Sequence, residues 1–533
     1  MTPDLRGFEL DAQNEELQGH RILDVLGHAF GVVAEPTAPG SGPRQHTWLD
    51  TFDWRLNRAG LVLEYERRTR GGRLLLTKDD ILVAEQPAER WRGPAGRPRL
   101  AADLPAGPVR DQILKLASPR ALLPMAAAAG TVTVTRLLNA DGKTVARLIV
   151  DRSSVTRADQ TVQLPPRLAI AEVRGYPGQA RRAARLLAGI PGVSVTRRSA
   201  FLEALHALGR HPRDYSNGIT TAITAQMPAS VAVATLLLGL LDTLEQNVDG
   251  VLRDIDTEFL HDLRVAVRRT RSAIKLLGDV LPDAEKYAAE FKWLGDLTTP
   301  TRDLDVHLLG FDEMAGLLVA ASPADLEPFR AFLARSRARE FRRLSAGVRS
   351  ARFRALTDHW RKALLEVRDA GRPRKGITAG DLALAQTGRT FRRVAAQGGA
   401  ITPASAPESL HNLRKRCKEL RYVLEFFAPL YDPLAYRKTI GDLKQLQDCL
   451  GEFQDSEVQR HEIGALAEAM LAERAAPAAT LLAMGEINAN LALRQAEARA
   501  DFAERFARFA GPAGQQRFRA LLTGPSGPGL AAP

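Results

Sequence analysis

The segment Leu-His261-Asp-Leu-Arg264-Val-Ala-Val-Arg268-Arg-Thr-Arg271 recurs 150 residues later as Leu-His411-Asn-Leu-Arg414-Lys-Arg-Cys-Lys418-Glu-Leu-Arg421. A second match follows each copy at an offset of 152. Phe291-Lys292-Trp-Leu294-Gly-Asp296 leads to Arg302-Asp303-Leu-Asp305, and Leu443-Lys444-Gln-Leu446-Gln-Asp448 leads to Gln454-Asp455-Ser-Glu457. A repeat of this order requires that one structural unit be built twice and that the copies be packed compatibly. It duplicates cations as well as core positions.

At about 100° per residue, His261, Arg264, Arg268, Arg271 and Lys275 fall within roughly 80° of one another on a helix. Leu260, Leu263, Val267, Ile274 and Leu277 occupy the adjoining arc. In the second copy His411, Arg414, Lys418 and Arg421 form the basic stripe, and Leu410, Leu413, Cys417, Leu420, Leu424 and Phe427 form the apolar one. A solvated helix interleaves acids at three or four residues, each pair contributing ~0.2–0.5 kcal/mol. From His261 to Leu277 the one acid is Asp262, against four Arg and one Lys. Such self-repulsion costs stability unless an anion relieves it, and arginine suits bidentate contact with phosphate oxygens. A single stripe is explained as an ordinary surface, whereas two stripes able to meet around one groove point to anion binding.

Ser405-Ala-Pro407-Glu408 reads as a capping box, which places His411 about one turn into its helix. No His or Cys partner sits at zinc-ligand spacing, so the histidines are expected to donate hydrogen bonds to phosphate rather than to hold metal. Asp303, Asp305, Asp455 and Glu457 are expected to hold Arg and Lys side chains in place, with ordinary surface acids the equal alternative.

The chain has 533 residues and a net charge of +12. A pI near 9.9 favours polyanionic partners. Aromatic residues make up only 6% of the chain, too few for base-stacking platforms, which disfavours single-stranded nucleic acid as the target. Cys417 and Cys449 do not make a disulfide framework. The N-terminus lacks a signal-peptide pattern, and Val231–Leu241 is too short to span a bilayer and reads as a buried helix. The expected location is cytoplasmic, with no membrane partner.

Residues 1–205 mix strands and helices. Strand composition marks Thr47–Asp50, Leu61–Arg68, Arg73–Thr77, Thr131–Leu137, Val145–Asp151 and Leu168–Arg174. Helices are expected at Glu15–Val32, Val109–Leu116 and Gly178–Ala188. An antiparallel sheet, barrel-like in closure, is the expected core of this region. A linker follows at 206–224, helical periodicity fills 225–510, and 511–533 reads as a flexible tail. The fold class is α+β.

The paired His-x-x-Arg-x-x-x-[Arg/Lys]-x-x-Arg stripes, with Arg302-Asp303-Leu-Asp305 and Leu446-Gln-Asp448-Cys-Leu450-Gly451, resemble a CHAD domain (conserved histidine, alpha-helical domain) over 225–510. The resemblance implies two pseudo-symmetric helical bundles around a basic surface. It also implies binding of inorganic polyphosphate and association with polyphosphate granules. Mapped onto this chain, the binding residues are His261, Arg264, Arg268, Arg271, Lys275, Lys292, Arg302, His411, Arg414, Lys418, Arg421 and Lys444. Glu425 departs from the pattern at the position of Lys275.

Trp48-Leu-Asp50-Thr51-Phe52-Asp53-Trp-Arg55-Leu56-Asn-Arg58-Ala-Gly60-Leu61, with weaker matches at Val145–Arg152 and Ala171–Arg174, resembles a CYTH domain, the fold of triphosphate tunnel enzymes. That family uses Glu-x-Glu-x-Lys on its first strand, three side chains on one face, to hold a divalent metal and meet phosphate. Here Glu9-Leu-Asp11-Ala-Gln13 lacks the lysine, and Glu64 and Glu66 stand where phosphate-binding arginines are usual. The domain is therefore expected to be a degenerate fold without catalytic residues, bound metal or cofactor. The alternative is a metal-dependent triphosphatase or polyphosphatase built on Glu9, Asp11, Glu172 and Lys78. A nucleic-acid binder is a further alternative, although no helix-turn-helix, zinc-finger or single-strand module is evident, and nucleic acid is expected only as a non-specific competitor.

Overall fold

Alternating apolar residues in the first two hundred positions build one antiparallel sheet. The computed structural model describes residues 7–10, 15–34, 41–68, 71–89, 97–196, 198–219, 222–370 and 376–523. The chain divides after Ser216 into two units. Unit 1 contains strands β1 (Phe8–Leu10), β2 (Gly31–Ala34), β3 (Gly42–Asp50), β4 (Leu61–Arg67), β5 (Gly72–Lys78), β6 (Ile81–Pro87), β7 (Arg99–Leu100), β8 (Ala121–Leu138), β9 (Thr144–Arg157), β10 (Gln160–Gln163), β11 (Arg167–Glu172) and β12 (Val193–Val195). Its helices are α1 (Glu15–Ala29), α2 (Arg55–Arg58), α3 (Pro108–Ala117), α4 (Pro177–Ala188) and α5 (Ala200–Ala207). The main strand path is β12-β1-β11-β9-β8-β3-β4-β5-β6, and among the described residues its two ends do not pair.

The sheet has two unlike faces. One carries Phe8, Leu10, Leu148, Leu168 and Ile170 against Ile22 and Leu26 of α1 and Ala183 and Leu187 of α4. The other lays Trp48, Ala126, Ala128 and Val155 against Phe201, Ala204 and Leu205 of α5. Small alanines on β8 let α5 approach the sheet, and Trp48 stacks on Phe201 at 5.9 Å. The same alanines conceal the first half of β8 in the sequence, because Ala has low strand preference and alternation is its only signature. The expected helix to Val32 ends at Ala29, since Gly31 to Ala34 pair instead with β8.

The described residues of unit 2 form helices joined by short connections. Its first half contains α6 (Ala229–Leu252), α7 (Thr257–Leu277), α8 (Ala284–Leu309), the short α9 (Phe311–Ala315), α10 (Glu327–Val348) and α11 (Ala351–Ala370). Its second half contains α12 (Ala379–Gly399), α13 (Pro407–Phe426), α14 (Pro433–Ala472), α15 (Ala478–Ala510) and α16 (Pro512–Thr523). α6 and α12, and α7 and α13, begin 150 residues apart, as do the 3-10 turns at Gly278–Val280 and Ala428–Leu430.

The repeat is also a symmetry. Ala229 N donates to Ile377 O at 3.1 Å, and Ala379 N donates to Met227 O at 2.7 Å. Each bond is the other shifted by 150 residues in both partners, the reciprocity an isologous contact requires. The two halves are therefore related by a pseudo-twofold axis.

α6 is long and apolar enough to cross a membrane by length and composition, and 61% of its most apolar window is buried within the protein. Residues 512–523, expected within a flexible tail, form α16. Phe518 and Leu521 are buried, and Phe518 stacks on Phe391 at 3.7 Å. Two apolar residues three apart are too short a pattern to stand out beside the Gly/Pro-rich end; residues 524–533 lie outside the described ones.

Candidate functional site

α7 and α13 each bury the apolar arc read from the sequence. Leu260, Leu263, Val267 and Leu277 of the first, and Leu410, Leu413, Cys417 and Leu420 of the second, are in the core. Asp256 caps α7, its carboxylate accepting from Glu258 N and Phe259 N. α13 starts differently from expectation. Its N-cap is Ala406 with Pro407 at the first helical position, and Ser405 Oγ accepts from Thr402 N instead of closing a capping box. His261 and His411 still occupy the same turn of their helices.

The two helices pack on each other and bring the stripes together. One pocket of about 590 Å³ is lined by His261, Arg268 and Arg269 from the first copy and by Arg414, Lys418 and Arg421 from the second. A larger one of about 1170 Å³ is lined by Arg268, Arg271, Lys275 and Lys292 with Lys415 and Lys418. Both include Arg268, Lys418 and Tyr422, so they form one groove along the α7–α13 contact.

Not every expected cation faces that groove. Arg264 turns into the fold, where its Nη1 donates to Gly295 O, Thr298 Oγ1 and Thr299 Oγ1 of α8. Arg302 donates to Thr257 O at the start of α7. His411 Nδ1 lies 2.5 Å from Gln454 Oε1. Neither these three nor Lys444, which is exposed on α14, lines either pocket. Helical periodicity assigns a face but cannot say that the neighbouring helix supplies acceptors there.

Several lining cations carry acidic partners. Arg414 Nη2 meets Asp455 at 2.9 Å, Arg421 Nε meets Glu425 at 2.6 Å, and Lys292 meets Asp296 at 2.6 Å. Asp455 thus holds a stripe arginine in place, as expected of it. Asp305 instead binds Arg337 at 2.8 Å, and that arginine also clamps Asp254. Arg268, Arg271, Lys415 and Lys418 have no hydrogen bond or ion pair among the described residues. Arg271 lies over Gly295, where a Cβ would come 3.1 Å from its Nη1.

Burial, then Arg414 and Arg268, push Lys418 down to about 8. Burial and the nearby Arg302 also lower His261, disfavouring the charged imidazole. Both shifts come first from burial and then from neighbouring cations.

Lys415 and Arg269 escape a reading by repeats. Lys415 stands where the first copy has Val265, and Arg269 where the second has Glu419. The available signal was the reversal of charge between copies, at 269 against 419 and at 275 against 425.

In unit 1 the family-like acids of the first motif serve a turn. Asp50 accepts from Thr51 N, Leu56 N and Asn57 N, closing α2, while Asp53 pairs with Arg55 at 2.9 Å. Glu64 and Glu66 do not face the sheet as free acids. His46 bridges Glu64 at 2.6 Å and Asp151 at 3.3 Å. Arg44, Arg68 and Arg73 pair with Glu66. Burial disfavours the charged imidazole, but Asp151 and Glu64 outweigh it and raise His46 to about 10.

Glu9 pairs across the sheet with Arg167, whereas Glu172 shares the alternation of Leu168 and Ile170. Glu9 and Glu172 therefore lie on opposite faces and cannot hold one metal. Lys78 is exposed at the end of β5, and Asp11 lies outside the described residues. No group of His, Cys, Asp and Glu suited to a metal is present among the described residues.

Residues 235–464 match the CHAD domain family, and this segment is a CHAD domain. No curated protein matches the chain. The CHAD domain from the plant Ricinus communis is 25% identical, with 55% of this chain and 96% of that one covered and a TM-score of 0.47. PptA from Streptomyces chartreusis is 15% identical, with coverage of 52% and 99% and a TM-score of 0.42. The chain is also similar to a putative adenylyl cyclase from Hippeastrum described as having a dominant triphosphatase activity, at 12% identity, 40% and 99% coverage and a TM-score of 0.26.

Proposed function

We propose that the protein binds inorganic polyphosphate along the α7–α13 groove and associates with polyphosphate granules in the cytoplasm, with unit 1 acting without phosphate chemistry. The observation that carries this reading is the convergence of Arg268, Arg271, Lys415 and Lys418 from two repeats, none of them in an ion pair among the described residues, on a pocket that Asp279, Asp283, Glu285 and Glu419 also line. A linear polyanion supplies closely spaced charges to all four. Apolar or single-charge ligands would leave most of them unpaired.

Long-chain polyphosphate should bind in a salt-sensitive manner through counterion release, with a log–log slope approaching about −0.7 per contact by analogy with single strands. Arg268→Gln, Arg271→Gln and Lys418→Gln together should weaken binding at least about a hundredfold while leaving the folded helical signal intact. Equal affinity of the triple variant, or equal competition by RNA or charge-matched heparin, would overturn the reading.

A further inference from the structure

Two salt bridges tie the repeats together. Arg269 Nη2 meets Glu425 at 3.0 Å, and Lys275 Nζ meets Glu419 at 2.6 Å. Shifting by 150 residues converts 269 into 419 and 275 into 425, so the bridges occupy symmetry-related places. Their charges do not obey the symmetry, since both cations come from α7 and both acids from α13. The groove is therefore electrostatically directional. Around Arg268, Arg271, Lys415 and Lys418 it presents unpaired cations. Around Arg421 the charge is partly offset from within, because Glu425 contacts both Arg269 and Arg421 and is only 16% exposed.

We propose that Glu425 is a built-in counter-anion that sets a minimum chain length for the polyphosphate ligand. The proposal rests on the groove reading above and adds an order of engagement to it. A short polyphosphate occupies the unpaired cations. Only a chain that continues past Lys418 reaches Arg421, where its phosphates displace the Glu425 carboxylate. Arg269 retains that carboxylate, so displacement swings Glu425 toward a cation already beside it and does not strand a buried charge. Length enters the affinity because the gain from Arg421 must exceed the loss of its ion pair.

The test is a series of dissociation constants for linear polyphosphates from tripolyphosphate to long chains, with the full-length protein, Glu425→Gln, and Glu425→Gln/Arg421→Gln. Arg269→Gln, which breaks the other half of the Glu425 pairing, controls for loosening of the α7–α13 contact. The wild-type protein should gain affinity steeply over a narrow range of lengths. Glu425→Gln should leave tripolyphosphate nearly unchanged, tighten chains long enough to reach Arg421 by about fivefold to tenfold, and move the steep range to shorter lengths. The gain should vanish in the double variant and be absent from Arg269→Gln. A uniform gain at every length, a gain that survives Arg421→Gln, or no gain would overturn the counter-anion role while leaving the groove intact. No binding by wild type at any length would overturn the groove reading itself.

Discussion

At the scale of single residues, the burial and positive neighbours of Lys418 make its charge dependent on pH. Its folded-state value of about 8 lies below the 10.5 of a free lysine. Bound phosphates favour the ammonium, so binding above pH 8 takes up a proton, and affinity should fall as pH rises through 8, by at most about tenfold per unit. Lys418→Arg should abolish that fall, which isothermal titration in buffers of different ionisation enthalpy would register. His46 runs the other way. Its value is raised to about 10, so its contribution to stability is fully present below about 6.5 and lost as pH rises through about 10. His46→Gln leaves Glu64 and Asp151 facing each other and should cost about 2 kcal/mol at pH 7 in chemical denaturation, with the difference from wild type shrinking as pH rises from about 6.5 to about 10. Neither shift is readable from sequence, where Lys418 is one cation in a stripe and His46 one residue in a strand.

At the scale of elements, close helix approach leaves a sharp test. A Cβ at Gly250 of α6 would stand 2.2 Å from the Phe259 ring of α7. Gly250→Ala would improve intrinsic helix preference by about 1 kcal/mol, yet the overlap should make it destabilising by about 1–3 kcal/mol. A denaturation midpoint above wild type would show that the α6–α7 contact yields easily. α16 offers a second test. Phe518→Ala should lower stability by about 3 kcal/mol, since Phe518 is 5% exposed and stacked on Phe391. An unchanged midpoint would mean that α16 contributes nothing to unit 2. The α7 and α13 arcs were legible because a helix repeats its buried face every 3.6 residues. β8 was not, because its alanines carry no hydrophobic contrast.

At the scale of the whole molecule, an inherited backbone symmetry carries a broken charge symmetry. The paired bonds through Ala229 and Ala379 retain the twofold relation, while Glu419 and Glu425 replace cations in the second copy. Neutralising the set in the first half, with Arg268→Gln/Arg271→Gln, should therefore reduce affinity for tripolyphosphate far more than Arg414→Gln/Arg421→Gln does. Equal losses would show that Arg414 and Arg421 engage short chains despite their ion pairs with Asp455 and Glu425. In unit 1 the charges Glu64, Glu66 and Asp151 are matched by Arg44, His46 and Arg73 across neighbouring strands, and Glu9 and Glu172 face opposite sides of the sheet.

The sequence by itself determined the repeat, the helical second half, the antiparallel first region, the two buried arcs and the basic edge beside each. All of these are local periodicities, set by backbone geometry and side-chain polarity within a few residues. Which cations remain available was decided by tertiary structure alone. Arg264 is absorbed by acceptors on α8, Arg414 by Asp455 and Arg421 by Glu425, each partner lying on another turn or another helix. An ion pair depends on distances of 3 to 4 Å between side chains far apart in the chain, and periodicity supplies the direction of a side chain but not what stands opposite it.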